Sequence, residues 1–177
     1  MASNPLIRTA SCIVAVAAAI FVTAASPSGA LAPTSARAAG ELRDLQTATA
    51  QPTDNATAQV TATESAGSTT VTLKVQGIDH AAAGSVLGAH VHSGTCIEGN
   101  GAAAGPHYNT TGGQDISDET EVWLDITVQP NGTGYASATV PFTIPSGAAG
   151  SVVIHALHTD HVTGAAGSRW ACLPVAF

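Results

Sequence analysis

The sequence predicts an all-β domain, a sandwich or barrel in which short strands are joined by Greek-key connections. Thr- and Val-rich segments of strand length recur along the chain, and clusters of Gly, Pro and Asn separate them. No segment shows the 3.6-residue apolar period that an amphipathic helix would have. We therefore expect seven or eight strands in a single domain that spans residues 55–177.

The strands can be placed in order from composition and turn signals. The Asn-Gly pair in the segment QPNGT, residues 129–133, is typical of a hairpin between the strands on either side. Residues 94–117 are rich in Gly, Ala, Thr and Asn, and we predict a long loop there, which in a compact domain usually has a function. Besides the stretch that ends in HVH, the candidate strands are residues 56–63, 69–78, 121–128, 134–144, 150–158 and 168–177.

The first 38 residues have the composition of an export signal. Arg8 precedes an apolar run that is too short to span a bilayer comfortably, and small residues follow the run. Cleavage after Ala38 fits the A-x-A pattern, cleavage after Ala30 is the competing choice, and a retained membrane anchor is the alternative to both. We expect a secreted or cell-envelope protein with no stable membrane span after cleavage. In it, the polar residues 39–54 form a flexible lead-in.

Export would place the two cysteines that remain, Cys96 and Cys172, in an oxidising compartment. An even pair in such a compartment predicts a disulfide bond between them. The loop that this bond would close is long, so the chain-entropy model allows a stabilisation of about 4 kcal/mol.

The charge balance excludes one class of partner. Beyond residue 38 the chain has three basic residues, Arg43, Lys74 and Arg169, against twelve acidic ones. Such a chain will not bind nucleic acid by neutralising phosphates and releasing their counterions.

The histidines are arranged in a way that indicates a metal site. His90 and His92 lie two residues apart on a predicted strand, so both side chains leave the same face about 6.6 Å apart. His107 lies in the long loop, and His155 ends an apolar segment. Four imidazoles from three segments could form a tetragonal set of nitrogen ligands, which suits Cu(II). Taken alone, the H-x-H pair also fits a strand with polar residues facing solvent.

Four motifs resemble those of the copper/zinc superoxide dismutases, in the same order and with similar local spacing. The resemblance covers Ala56–Phe177 and implies an eight-stranded Greek-key β-sandwich. It implies that His90, His92, His107 and His155 bind copper, that Arg169 guides and holds superoxide, and that Cys96 and Cys172 form the intrasubunit disulfide. The implied reaction converts superoxide to dioxygen and hydrogen peroxide. The motifs are GAHVHSGTC, AGPHYN, SVVIHA and AAGSRWAC.

The sequence departs from the family at the zinc site. Residues 108–154 contain no histidine or cysteine that could complete it, so the chain resembles a copper-only branch and zinc is not expected. A histidine ligand usually has an acceptor on its second ring nitrogen. For His107 we expect this acceptor to be Glu119, with Glu121 and Asp118 as second choices, and an acidic solvated turn is the alternative. The remaining histidines are predicted to be solvated: His80, and His158 and His161 near the mouth of the site.

A second function stays open at this point, a non-enzymatic module that binds or buffers copper outside the cell on the same fold. Arg169 separates the two functions, because copper binding alone would not require a cation beside the metal. A superoxide dismutase needs one, and the planar, always charged guanidinium of arginine suits an anionic substrate.

Overall fold

The computed structural model describes Met1 and residues 35–177, and its strands form two antiparallel sheets of four and one short ladder of two. Two 3-10 turns, His80–Ala82 and Gly101–Ala104, interrupt the strands. The strands are β1 (Ser35–Glu41), β2 (Arg43–Asp44), β3 (Thr57–Ser65), β4 (Ser68–Gln76), β5 (Val86–Leu87), β6 (Ala89–His92), β7 (Ile126–Thr127), β8 (Gly134–Val140), β9 (Ser151–His155) and β10 (Arg169–Pro174).

The two large sheets pack as a sandwich. One has the strand order β1-β3-β4-β8 and the other has the order β2-β10-β9-β6, while β5 and β7 form the small ladder. After β4 the chain passes to the second sheet, and it later returns to place β8 beside β4, a connection of Greek-key type. The predicted all-β class and the eight-stranded sandwich are therefore confirmed.

Buried and outward-facing side chains alternate along β4, which shows why the Thr- and Val-rich segments form strands with one buried face. Val71, Leu73 and Val75 are fully buried, while the residues between them face outward. Because side chains alternate along a strand, such a pattern buries one face against the opposite sheet. Each buried Val or Leu stabilises the fold by about 1.5–3 kcal/mol relative to its exposed state.

The turn at residues 129–133 forms, but it does not join a two-stranded hairpin. Gln129 N–H donates to the Thr133 carbonyl at 2.8 Å, and Gly132 has a φ of 72°, which favours glycine. However, β7 pairs with β5 whereas β8 pairs with β4. Only residues 126–127 of the predicted strand 121–128 belong to a strand ladder, since before them Glu121 and Trp123 make isolated bridges only, to Asn109 and His90.

Residues 39–54 differ from the flexible lead-in expected from the sequence. β1 pairs with β3 along its whole length, and β2 pairs with β10 opposite Cys172. Leu42 and Leu45 are buried, and the Leu45 N–H donates to the Trp170 carbonyl at 2.8 Å. An edge strand is held mainly by backbone hydrogen bonds to its neighbour, so it does not need an apolar pattern. The two leucines anchor the segment, and its polar composition gave no sign of the pairing.

The predicted signal peptide lies mostly outside the described residues, since residues 2–34 are not among them. Cleavage after Ala38 would fall inside β1 and remove its first four residues, whereas cleavage after Ala30 would leave this strand whole. Export and the cleavage position therefore stay predictions. In the part of the chain that the structure describes, no helix has the length and apolar character to cross a membrane.

The predicted disulfide between Cys96 and Cys172 is present. The two Cα atoms are 5.9 Å apart, and 76 residues separate the cysteines in the sequence. Both are buried in a small apolar cluster with Leu45, Ala104 and Val153. The bond ties the loop that follows β6 to β10, which begins with Arg169.

We expect both cysteines to be oxidised in freshly secreted protein, because their sulfur atoms are buried and the oxidising compartment maintains the bond. Thiol blocking followed by mass measurement should detect two thiols only after reduction. Two free thiols before reduction would contradict the pairing. A sample reduced before blocking serves as the positive control.

Candidate metal centre

Three chain segments bring four histidines to one end of the second sheet. His90 and His92 lie on β6, which pairs with β9, and His155 is the last residue of β9. The centroids of the His90 and His92 rings are 6.3 Å apart, close to the spacing predicted for a strand. An isolated bridge between His92 and His107 brings the long loop against the other edge of β6.

The four side chains converge on one point. One ring nitrogen from each of His90, His92, His107 and His155 lies within 4.8 Å of those of the other three. His90, His92 and His155 are buried, while 18% of the His107 side chain is exposed. The structure thus brings together all four histidines that the sequence predicted.

Hydrogen bonds fix which ring nitrogen of His92 and of His155 carries the proton. His92 Nδ1 donates to the Gly105 carbonyl at 3.0 Å, and His155 Nδ1 donates to the Gly167 carbonyl at 3.2 Å. In a neutral imidazole the other nitrogen is then an acceptor. The two Nε2 atoms, 3.3 Å apart, therefore direct their lone pairs into the same space, where a single cation can bind both.

A chain of two hydrogen bonds fixes the proton of His90. The Thr159 hydroxyl donates to the Asp125 carboxylate, so its oxygen accepts from His90 Nε2 at 2.8 Å. The lone pair of His90 is then on Nδ1, which is buried and makes no hydrogen bond to the described residues. A buried nitrogen without a partner is costly unless a metal binds it.

Two glycines allow this arrangement. A Cβ atom on Gly88 would lie 2.6 Å from Ala166 Cβ and 2.9 Å from Thr159 Oγ1, so a side chain there would displace the hydroxyl that holds His90. Gly105, whose carbonyl accepts from His92, has a φ of 67°, a backbone conformation that other residues rarely adopt.

The acceptor that holds His107 is Glu121, one of the two second choices, and the first choice, Glu119, was wrong. His107 Nδ1 donates to Glu121 Oε2 at 2.7 Å. Glu119 and Asp118 are exposed, whereas Glu121 is buried. A bridge between the backbones of Asn109 and Glu121 sets this register, and a count along the loop could not reveal it.

Glu121 is an ionised acceptor with three donors. Asn109 Nδ2 and Trp123 Nε1 donate to it at 3.0 Å and 2.9 Å, in addition to His107. Burial alone would raise the pKa of the Glu121 carboxyl, but hydrogen bonds from the three donors outweigh burial and lower the pKa below its usual value. The His107 proton thus stays on Nδ1, and the lone pair of Nε2 is free for a metal.

Burial keeps the other three imidazoles neutral. It lowers the pKa of His92 to about 3 and that of His155 to about 4, and it lowers the pKa of His90 as well. Repulsion from the charge of Arg169 acts in the same direction. At neutral pH these rings therefore present lone pairs, the form in which histidine binds a metal.

Arg169 supplies the cation near the centre. It is the first residue of β10, and its Nη1 donates to the Gly101 carbonyl at 2.7 Å. Arg169, His107 and Glu121 line an open cavity of about 610 Å³. Burial lowers the pKa of Arg169, but an arginine stays protonated at neutral pH. The cavity therefore has a fixed positive charge beside the least buried of the four histidines.

Comparison with protein families agrees with this geometry. The family model described as copper/zinc superoxide dismutase (SODC) matches residues 54–174. The chain belongs to the copper/zinc superoxide dismutase family. Comparison with curated proteins gave no significant match. Membership in this family and the intact four-histidine cluster together indicate superoxide dismutase activity at a copper-type site.

The structure also groups residues that the sequence did not single out. His158 and His161, expected to be solvated near the mouth of the site, lie with Asp125 in a second cluster that could hold a metal ion. Asp125 also accepts the Thr159 hydroxyl that orients His90. Thr159 lies four residues after His155, and no sequence pattern marks it or Asp125, because their roles depend on contacts 34 residues apart.

Proposed function

We propose that this member of the dismutase family is a copper-dependent superoxide dismutase of the extracytoplasmic space, with copper on four histidines and no zinc bridged through His107. One observation carries the proposal. Each of the four imidazoles has one nitrogen hydrogen-bonded away from the centre and the other free toward it. Four neutral nitrogen donors suit Cu(II).

Copper bound there supplies the one-electron chemistry of dismutation. The residues of the chain supply the frame: backbone carbonyls hold His92 and His155, and Thr159 holds His90. Such acceptors orient a histidine ligand and make it more basic. Each of the three ligands already has such a hydrogen bond in the metal-free chain, so the rings are oriented before the metal binds.

The absence of a bridged zinc is inferred from what surrounds His107. In the two-metal members of the family, zinc lies on the ring nitrogen that faces away from copper. In this chain His107 Nδ1 instead donates to the buried carboxylate of Glu121 at 2.7 Å, and that carboxylate has two further donors. The negative charge of Glu121 at this position orients the His107 ring, which is part of what zinc does in the two-metal sites.

Arg169 supports an enzyme rather than a copper buffer. A chain with twelve acidic and five basic residues attracts an anion poorly as a whole, so attraction must be local. The guanidinium lines the cavity that reaches His107 and is held by the Gly101 carbonyl. An anion that enters this cavity meets a fixed cation next to the metal ligands.

Export is part of the proposal, and two features support it. The first 38 residues have the composition of a signal peptide, and the chain has a buried disulfide of the kind that persists in oxidising compartments. We place cleavage after Ala30, because this position leaves β1 complete.

We expect the purified chain to bind one copper ion per molecule, and the copper-loaded chain to accelerate superoxide decay. Elemental analysis after dialysis against copper and zinc together gives the stoichiometry, and pulse radiolysis gives the decay rate. The copper-free chain and an equal amount of chelated copper are the controls. Copper binding without faster decay would leave the buffer as the function. One zinc ion still retained when His158 and His161 are both replaced by alanine would contradict the copper-only site, because these two histidines belong to the only other group of metal-binding side chains among the described residues.

A further inference from the structure

Asp125, His158 and His161 form a second group of metal-binding side chains, which we call the outer cluster. One ligand atom from each of the three lies within 4.8 Å of the other two. His158 Nε2 is 3.3 Å from Asp125 Oδ2, and the His158 and His161 rings are stacked with centroids 5.4 Å apart. None of the three is among the four histidines of the copper-type site.

Backbone hydrogen bonds hold the outer cluster in place. The Asp160 side chain accepts from the N–H groups of Val162 and Thr163 at 2.8 Å and 2.9 Å, which fixes the turn that contains His161. The Asp160 N–H donates to the Ala165 carbonyl, and the Thr159 N–H donates to Asp125. The loop therefore presents both histidines from a defined backbone rather than from a free chain.

The cluster faces an open cavity with a negative lining. The cavity has a volume of about 470 Å³, and Asp118 and Trp123 line it together with the outer cluster. The Trp123 ring lies edge-on to His161, with centroids 5.3 Å apart. Arg169 lines the other cavity, so the two cavities differ in the charge that they offer to an incoming ion.

We propose that the outer cluster binds one Zn²⁺ ion through the two imidazoles and the Asp125 carboxylate, with water in the fourth position. Nitrogen and carboxylate oxygen are ligands that zinc prefers, and three protein ligands with an open position are a common zinc arrangement. Tetrahedral zinc at normal bond lengths places its ligand atoms about 3.4 Å apart. The His158 side chain is 54% exposed, so it can move inward without disturbing the core.

This site is distinct from the zinc position of the family. Zinc in the outer cluster would not touch His107, whose Nδ1 is bonded to Glu121. The sequence predicted that the chain binds no zinc. We expect instead that no zinc joins the copper ligands, and that one zinc ion binds at the outer cluster. It does not depend on dismutase activity, because zinc binding is measured directly.

Zinc in the outer cluster would still be linked to the copper-type site. Asp125 accepts the Thr159 hydroxyl, and Thr159 accepts from His90 Nε2 at 2.8 Å. A cation on the Asp125 carboxylate weakens it as an acceptor, and this change reaches His90 through Thr159. Zinc binding should therefore alter the spectrum of Cu(II) held by His90 without releasing the copper.

The test is a zinc titration of the copper-loaded full chain, followed by calorimetry, elemental analysis and electron paramagnetic resonance of Cu(II). We expect one zinc ion per chain, no loss of copper and a changed Cu(II) spectrum. The variants His158→Ala and His161→Ala should each bind zinc at least about tenfold more weakly and should lose the spectral change. Both side chains are exposed, so the substitutions leave the fold intact.

His80→Ala is the matched control, since it removes an exposed histidine that is outside both clusters. This variant should bind zinc as the wild-type chain does. If the wild-type chain takes up no zinc, or if His158→Ala binds zinc unchanged, the proposal is overturned and Asp125 and His158 are an ion pair only. Zinc uptake matched by copper release is an equally decisive negative result, because the zinc would then occupy the four histidines.

Discussion

Arg169→Ala is expected to slow superoxide decay by the copper-loaded chain on the order of tenfold or more, because a local cation both steers and holds an anionic substrate. Copper affinity should stay nearly unchanged. The guanidinium is bonded to the Gly101 carbonyl and is not among the converging ligands. The positive charge of Arg169 also lowers the pKa of the buried histidines by repulsion. The same repulsion acts on a bound copper ion, so removal of the charge does not weaken copper binding.

The salt dependence of the rate separates steering from other effects of this substitution. Attraction between a charge and an anion is screened over about 8 Å at physiological ionic strength. The decay rate of Arg169→Ala should thus depend less on salt than that of the wild-type chain, and Arg169→Lys should restore most of that dependence. Lys74→Ala is the control, since it removes one exposed charge from β4. A wild-type rate in Arg169→Ala would refute the role of this residue.

The ligand set of the copper-type site could be predicted because local rules determine it. Because His90 and His92 are two residues apart on a strand, their side chains lie on one face. The apolar segment that ends in His155 likewise predicts a histidine at the end of a buried strand. The strand pattern of β3 and β4 is equally local. The even number of remaining cysteines predicted the disulfide, and the four motifs indicated the family.

Residues whose positions depend on long-range pairing could not be predicted. Thr159 and Asp125 are 34 residues apart, and only the folded chain shows that they orient His90. The order of residues 39–54 has the same origin, since β1 and β2 gain their order from backbone bonds to β3 and β10. The carboxylate beside His107 was predicted with Glu119 as the first choice and Glu121 as a second choice, because the sequence does not determine the length of the loop, and the structure selects Glu121.

Glu121→Ala is expected to reduce copper affinity and dismutation by about 10–100-fold, the usual cost of removing the group that orients a histidine ligand. The reason is the single acceptor at 2.7 Å from His107 Nδ1. Without it, the ring of the least buried ligand can rotate, and its proton is no longer confined to the nitrogen that faces away from the metal. The Cu(II) electron paramagnetic resonance spectrum should change together with the rate.

Two further variants show whether the carboxylate acts on His107 or only supports the loop. Glu121→Gln keeps an oxygen acceptor and should retain more activity than Glu121→Ala, while Trp123→Phe removes one donor to Glu121 without touching His107. Glu119→Ala is the matched control, because Glu119 is an exposed carboxylate two residues away. If Glu121→Ala keeps the wild-type spectrum and rate, or if Glu119→Ala causes the same loss, then Glu121 has no special hold on His107 and the copper-only argument loses its main structural support.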